Sequence, residues 1–271
     1  MEDERGDRFD GSGTEIVPAV VGSRCCRNSD CHGGRAAPAH LHGHRSSDQC
    51  RNHLPVPGDL WPVLLAVETM RAGEGPIRPA CPEDAAAILD IYAPYVRETN
   101  ISFEYEVPTL EEFTQRVRDI SSLHPYLVWE ENGKLLGYAY AHPYAPRPAY
   151  QWGAELTIYL RQGVTHRGMG STLYGALFDL LRLQGVRTVY GCITAENHPS
   201  VAMHRALGFA EGGLFRNAGY KFGRWLDVLW LEKSLGAYTD PESFVPFPKV
   251  EVSQVEEVLQ RWNQAVSCER T

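Results

Sequence analysis

Apolar positions acquire a regular period only from about residue 76 of the chain. Upstream, "GSRCCRNSDCHGGRAAPAHLHGHRSSDQCRN" shows neither helical nor strand spacing. Downstream, "PIRPA" reads as a short strand. In "CPEDAAAILDIYAPYVRET", Ala87, Ile88, Ile91 and Tyr95 recur at helical spacing. Pro82, Glu83 and Asp84 precede them, a composition that suits a helix first turn. Thr109 with Glu112 three residues on is a capping box, and it predicts a helix over Leu110 to Ser121. "YLVWEENGKLLGYAYAHPY" predicts a hairpin, Tyr126 to Glu130 and Lys134 to His142 around an Asn132-Gly133 turn. "GAELTIYL" predicts a strand and Ser171 to Gln184 an apolar helix closed by Gly185. "VRTVYGCIT" follows as a strand and "PSVAMHRALGF" as a short helix opened near Asn197. Two strands, near Ala210 to Arg216 and Trp225 to Lys233, complete the pattern.

The order β-α-α-β-β-β-α-β-α-β-β predicts a mixed α/β fold, a central mixed twisted sheet with helices on both faces. Residues 1–74 read as a disordered or extension segment, and Met70 is a plausible second start. Residues 75–236 form the expected folded domain. Residues 237–271 read as a Pro-rich linker and a C-terminal amphipathic helix, from Val252 to Val266, that docks or contacts another subunit.

Composition adds boundaries. A net charge of -8 and a pI near 5.7 argue against a general nucleic-acid binder. No apolar run reaches the roughly 18 residues of a spanning helix, so no membrane partner is expected. "LWPVLLAV" lies too far from Met1 for a signal peptide. Seven irregularly spaced cysteines, with Cys81, Cys192 and Cys268 widely separated, suit a reduced, cytoplasmic setting. Cys25, Cys26, Cys31 and Cys50 lie upstream with five histidines. They lack a paired CxxC knuckle, so a disordered leader is preferred to a zinc site.

Candidate chemistry begins at "TIYLRQGVTHRGMGSTLY". No GxxxxGK[ST] loop exists, and Gly168-Met169-Gly170 lacks the third glycine of a dinucleotide fingerprint. A helix N-terminus at RGMG is either a tight turn or an anion site built from backbone N–H groups. Glu155 interrupts an apolar strand. It either faces solvent or is a buried carboxylate with a raised pKa. His204 is either a satisfied helix-face histidine or an acid–base group.

With "NHPSVAMHRALGF" one helix and one strand later, the glycine segment resembles the GNAT superfamily of acyl-CoA-dependent N-acetyltransferases. There [RQ]xxGx[GA] cradles the pyrophosphate of coenzyme A. Thr165 stands here in place of Arg or Gln. "FEYEVPTLEEF", "RPAYQWGAELTIYL" and "NAGYKFGRWLDVLW" extend the resemblance to the branch that acetylates the α-amine of phosphinothricin and of methionine sulfone or sulfoximine-type amino acids.

The resemblance implies acetyl-CoA as co-substrate and direct transfer to a small amino acid, with no metal. It implies a catalytic pair, Glu155 and His204, in which Glu155 is the base. Around the coenzyme it implies His166, Arg167, Gly168, Met169, Gly170, Ser171 and Asn197, with carbonyl-stabilising backbone N–H groups at Thr157, Ile158 and Tyr159. Arg147 and Tyr150 match the branch's substrate loop, and Phe103 and Tyr140 its aromatics. Ala145 stands where some relatives carry Lys. A homodimer is a further expectation. Transfer to another amine (a polyamine, an aminoglycoside or a protein N-terminus) and a non-catalytic coenzyme A-binding regulator remain as alternatives.

Overall fold

The computed structural model describes residues 76–164 and 168–269. The expectations for residues 1–74, and those for Thr165, His166 and Arg167, lie outside the described residues.

Seven strands form one sheet in the order β1-β2-β3-β4-β5-β7-β6. They are β1 (Ile77–Pro79), β2 (Tyr126–Glu131), β3 (Lys134–Pro143), β4 (Gly153–Leu160), β5 (Thr188–Thr194), β6 (Ala210–Lys221) and β7 (Arg224–Ser234). Every neighbouring pair is antiparallel except β4 with β5. The helices are α1 (Ala85–Glu98), α2 (Leu110–Ser121), α3 (Met169–Leu183), α4 (His198–Ala206) and α5 (Val252–Glu269). The expected mixed sheet with helices on both faces is what forms.

Alternation along the strands sorts the core into two layers. On one face α1 and α2 bury Ile88, Ile91, Val96, Phe113 and Val117 against Tyr126, Val128 and Tyr138. On the other, α3 and α5 bury Leu173, Leu177, Leu181, Val258 and Leu259 against Leu156, Val189 and Leu231. The C-terminal helix docks on its own chain. A Cβ on Gly175 of α3 would meet the Trp262 ring at 2.2 Å, and Trp262 Nε1 donates to Asp179 (2.9 Å). Asn263 pairs with both backbone groups of Ile77 (2.8 and 3.0 Å), which satisfies the outer edge of β1.

Local signals set several boundaries. Thr109 accepts from Glu112 N while Glu112 reaches back to Thr109 N (2.8 Å), closing the capping box of α2. Asn132 and Gly133, at φ 52° and 73°, make the two-residue hairpin turn. Two boundaries move. α3 begins at Met169 rather than Ser171, because Gly168 already holds the left-handed N-cap position at φ 70°. β6 runs on to Lys221, because Asn217-Ala218-Gly219 forms a bulge in the ladder instead of a turn. Asn217 sits at φ 52° and Asp227 accepts from its N–H (2.8 Å).

Candidate active site

The one parallel pair in the sheet is also where it opens. β4 and β5 pair from Gly153–Thr188 to Leu156–Gly191, and their last residues then diverge. Two backbone bonds fix which groups face that opening. Arg161 N donates to Leu136 O in β3, and Arg187 N donates to Trp152 O from the β5 side. Odd-numbered residues of β4 therefore turn their backbone groups to β3 and even-numbered ones to β5. Beyond Leu156, the N–H of Ile158 points at an edge that β5 has left. Those of Thr157 and Tyr159 belong to the β3 ladder, so the expected trio of donors narrows to Ile158.

A cleft of about 80 Å³ occupies this split, with Glu155, Thr157, Ile158, Tyr174, Asn197 and His204 among its walls. Glu155 approaches it from the α1/α2 face. Register sets His142 directly across from it, and His142 Nε2 stands 3.8 Å from Glu155 Oε1. Burial raises the carboxyl pKa, and the charge of His142 pulls it part of the way back.

His204 approaches from the α3/α5 face and is 2% exposed. Its ring packs edge-on against Tyr174 (5.2 Å) and Phe209 (4.9 Å). Nδ1 lies 2.8 Å from Ser200 O, and a carbonyl only accepts, so the neutral ring carries its proton on Nδ1. Nε2 is then a bare lone pair, buried and without a hydrogen-bond partner. Burial lowers the pKa of this imidazole, which the Ser200 contact partly offsets. Glu155 and His204 share the cleft but are not hydrogen-bonded to each other.

The glycines around the split have different reasons. Gly168 has open space where a Cβ would point, and its positive φ lets α3 start with its first N–H groups free of any side-chain cap. Gly170 is closely packed: a Cβ there would stand 2.7 Å from Met203 Sδ and 3.6 Å from Ile158 Cδ1, so the Met203 thioether would have to move to admit it. That contact brings the start of α3 beside β4 and α4. Ser171 is exposed in the same first turn, and Met169 is buried beneath it. Asn197 caps α4, its Oδ1 accepting from Ser200 N (3.3 Å).

The remaining expected residues divide. Tyr140 borders Thr157 in the β3–β4 register, on the Glu155 face. Phe103 lies in the loop after α1, its ring over Gly219, where a Cβ would come within 2.1 Å. That loop is tied down by a residue that sequence reasoning missed. Lys221 Nζ donates to Val96 O (2.8 Å), Thr99 O (2.9 Å) and Ser102 O (2.6 Å). Arg147 and Tyr150 are exposed on the β3–β4 loop. Tyr150 borders a cavity beside Gly153 and Thr188, at the opposite end of the β4–β5 pair from the split. His142 was also missed, since only the β3–β4 register reveals that it faces Glu155.

Comparison with known proteins identifies the fold. Residues 77–230 match the acetyltransferase (GNAT) domain family. The chain belongs to the GNAT acetyltransferase family. This GNAT enzyme is 36% identical to a phosphinothricin N-acetyltransferase of Streptomyces viridochromogenes over 174 residues, 64% of this chain and 95% of the relative. It is 33% identical to an L-methionine sulfoximine/L-methionine sulfone acetyltransferase of Pseudomonas paraeruginosa, over 45% of this chain and 70% of the relative. Among solved structures, a Sinorhizobium meliloti phosphinothricin acetyltransferase in complex with AcCoA superposes with a TM-score of 0.61 at 32% identity. That superposition covers 66% of this chain and 99% of the other. No helix among the described residues is long and apolar enough to cross a membrane.

Proposed function

We propose that this enzyme transfers the acetyl group of acetyl-CoA to the α-amine of a small amino acid, of the phosphinothricin or methionine sulfoximine/sulfone type. The observation that carries the reading is the β4–β5 split, entered by a half-buried carboxylate from one face and by an unpartnered imidazole nitrogen from the other. The names of the relatives above support the substrate class.

Acetyl-CoA supplies a thioester, already activated toward an amine. The residues present fit it: the first-turn N–H groups of Met169, Gly170 and Ser171, with no side-chain cap among the described residues, suit its pyrophosphate, and the Ile158 N–H faces the split. Ile158 N–H is an oriented donor for negative charge developing on a carbonyl oxygen. An α-amine arrives mostly as an ammonium, which cannot attack. Glu155, held closer to neutrality by burial, accepts that proton directly or through one water. His204 offers its Nε2 lone pair as a second proton site from the other face of the sheet. Asn197 fixes the start of α4 and so the placement of His204 about two turns along the same helix. Tyr140, across from Thr157 on the Glu155 face, and the loop that carries Ile101 and Phe103 border the amine side.

The test is thiol release from acetyl-CoA with methionine sulfoximine, phosphinothricin, spermidine and an aminoglycoside. Turnover with the two amino acids and not with the polycations is expected. Release with none of the four sinks the proposal.

A further inference from the structure

The mechanism above leaves the acid group of the amino acid without a partner. Arg147, the expected one, lies on the loop at the other end of β4. A second cavity, of about 120 Å³, lies beneath α1 and α2 and shares Thr157 and Tyr159 with the split. Its walls are mostly aromatic: Tyr92, Tyr126, Tyr138, Tyr140 and Phe113. Only two of its lining groups are charged at neutral pH, Arg116 of α2 and Glu104 of the loop after α1.

Those two form an ion pair, Arg116 Nη1 to Glu104 Oε1 at 2.5 Å. Nη1 is the one nitrogen of Arg116 engaged among the described residues, so Nη2 and Nε keep a free edge of the guanidinium. One guanidinium serving two carboxylates has a precedent in this chain, where Arg78 binds both Asp84 and Glu130. Glu104 holds Arg116 by Nη1, and the Nε–Nη2 edge, which in Arg78 takes Glu130, offers the fork that matches a carboxylate or phosphinate. A polyamine would bring only positive charge to the same wall.

We propose that this tyrosine-walled chamber is the acceptor subsite, and that Arg116 selects it for amino acids by binding their acid group. The assignment rests on the acetyl-transfer reading of the split. The amine then lies toward Glu155 and the carboxylate toward α2, with Thr157 and Tyr159 on the boundary between the two compartments. Tyr hydroxyls on the walls serve polar side-chain heads, while the rings exclude bulk water.

The experiment compares methionine sulfoximine with its uncharged carboxamide in wild-type enzyme, Arg116→Gln and Arg116→Lys. For the acid, Arg116→Gln should raise KM and lower kcat/KM about 10–100-fold, the scale of a lost charge-assisted pair. Arg116→Lys, which keeps charge without the fork, should lose less. For the carboxamide the three enzymes should agree within about threefold, and KM for acetyl-CoA should be unchanged throughout. Equal losses on acid and carboxamide overturn the assignment alone, because they mark Arg116 as structural. No thiol release from wild type with either acceptor overturns the acetyl-transfer reading, and this assignment falls with it. Arg116 is half-exposed, so folding of both variants is expected, and matched circular dichroism spectra check it.

Discussion

A Cβ on Gly191 would stand 2.9 Å from Nε2 of His204, so the β5 glycine and the α4 histidine fit only as a pair. The imidazole is seated by edge contacts with Tyr174 and Phe209, and a Cβ at position 191 would displace it from that seat. Gly191→Ala should therefore turn the ring away from the split while β5 keeps its ladders. We expect kcat to fall roughly 10–100-fold, the range of a misplaced acid–base group. Acetyl-CoA affinity and the far-ultraviolet spectrum should not change. Unchanged kcat in a folded Gly191→Ala protein would remove His204 from the mechanism.

The raised pKa of Glu155 has a readable sign. A base works when deprotonated, so kcat/KM for the amino acid should rise with pH along a limb placed above the ordinary glutamate value of about 4.3. Glu155→Gln should abolish that limb and lower kcat/KM about 10²–10³-fold. The charge on His142 opposes the shift, so His142→Gln should move the limb to higher pH. A limb unmoved by His142→Gln, or surviving in Glu155→Gln, assigns the titration to another group.

What could be read ahead of the structure follows from the range of the interactions involved. The capping box at Thr109, the Asn132-Gly133 turn and the cap at Asn197 act over two to four residues, and each stands where its local chemistry put it. Glu155 stood out because a carboxylate broke an apolar strand. His142 and Arg116 carried no such mark. Their positions depend on the β3–β4 register and on how α2 lies over the sheet, which no local period encodes. Gly170 looked like half of a phosphate-binding pair, and what the sequence did not show is that Met203, more than thirty residues on, packs against it. The aromatics Tyr126, Tyr138 and Tyr159 carried no mark of a shared cavity in the strand pattern, and the first two are fully buried. The cavity they wall appears only once α1 and α2 are in place.

Lys221 spends its ammonium on three backbone carbonyls at the end of α1, and so links the β6–β7 hairpin to the loop carrying Ile101, Phe103 and Glu104. Lys221→Met keeps the apolar stem but leaves those carbonyls unserved, at a stability cost on the order of 2 kcal/mol. The loop borders the proposed amine side and not the proposed pyrophosphate end. KM for the amino acid should rise several-fold while acetyl-CoA affinity holds. Parallel losses in both constants would mean that Lys221 supports the sheet as a whole.

His124 sits 3% exposed beside Phe244, with neither ring nitrogen hydrogen-bonded. Burial first, and the charge of His142 second, lower its pKa from the ordinary 6.5 to about 4. In the unfolded chain the ring takes a proton as pH falls through 6.5, whereas in the folded chain it stays neutral until about 4. The unfolded state therefore binds more protons across that window, and stability is lost as the solution is acidified through it. At about 1.4 kcal/mol per pKa unit the loss approaches roughly 3 kcal/mol, complete near pH 4. His124→Phe places an untitratable ring against Phe244 and should flatten the stability profile between pH 6.5 and 4, measured by urea unfolding. His204, shifted in the same direction, leaves a residual slope in the variant. If His124→Phe and wild type lose stability in parallel over this window, the buried ring at His124 is not what senses the acid.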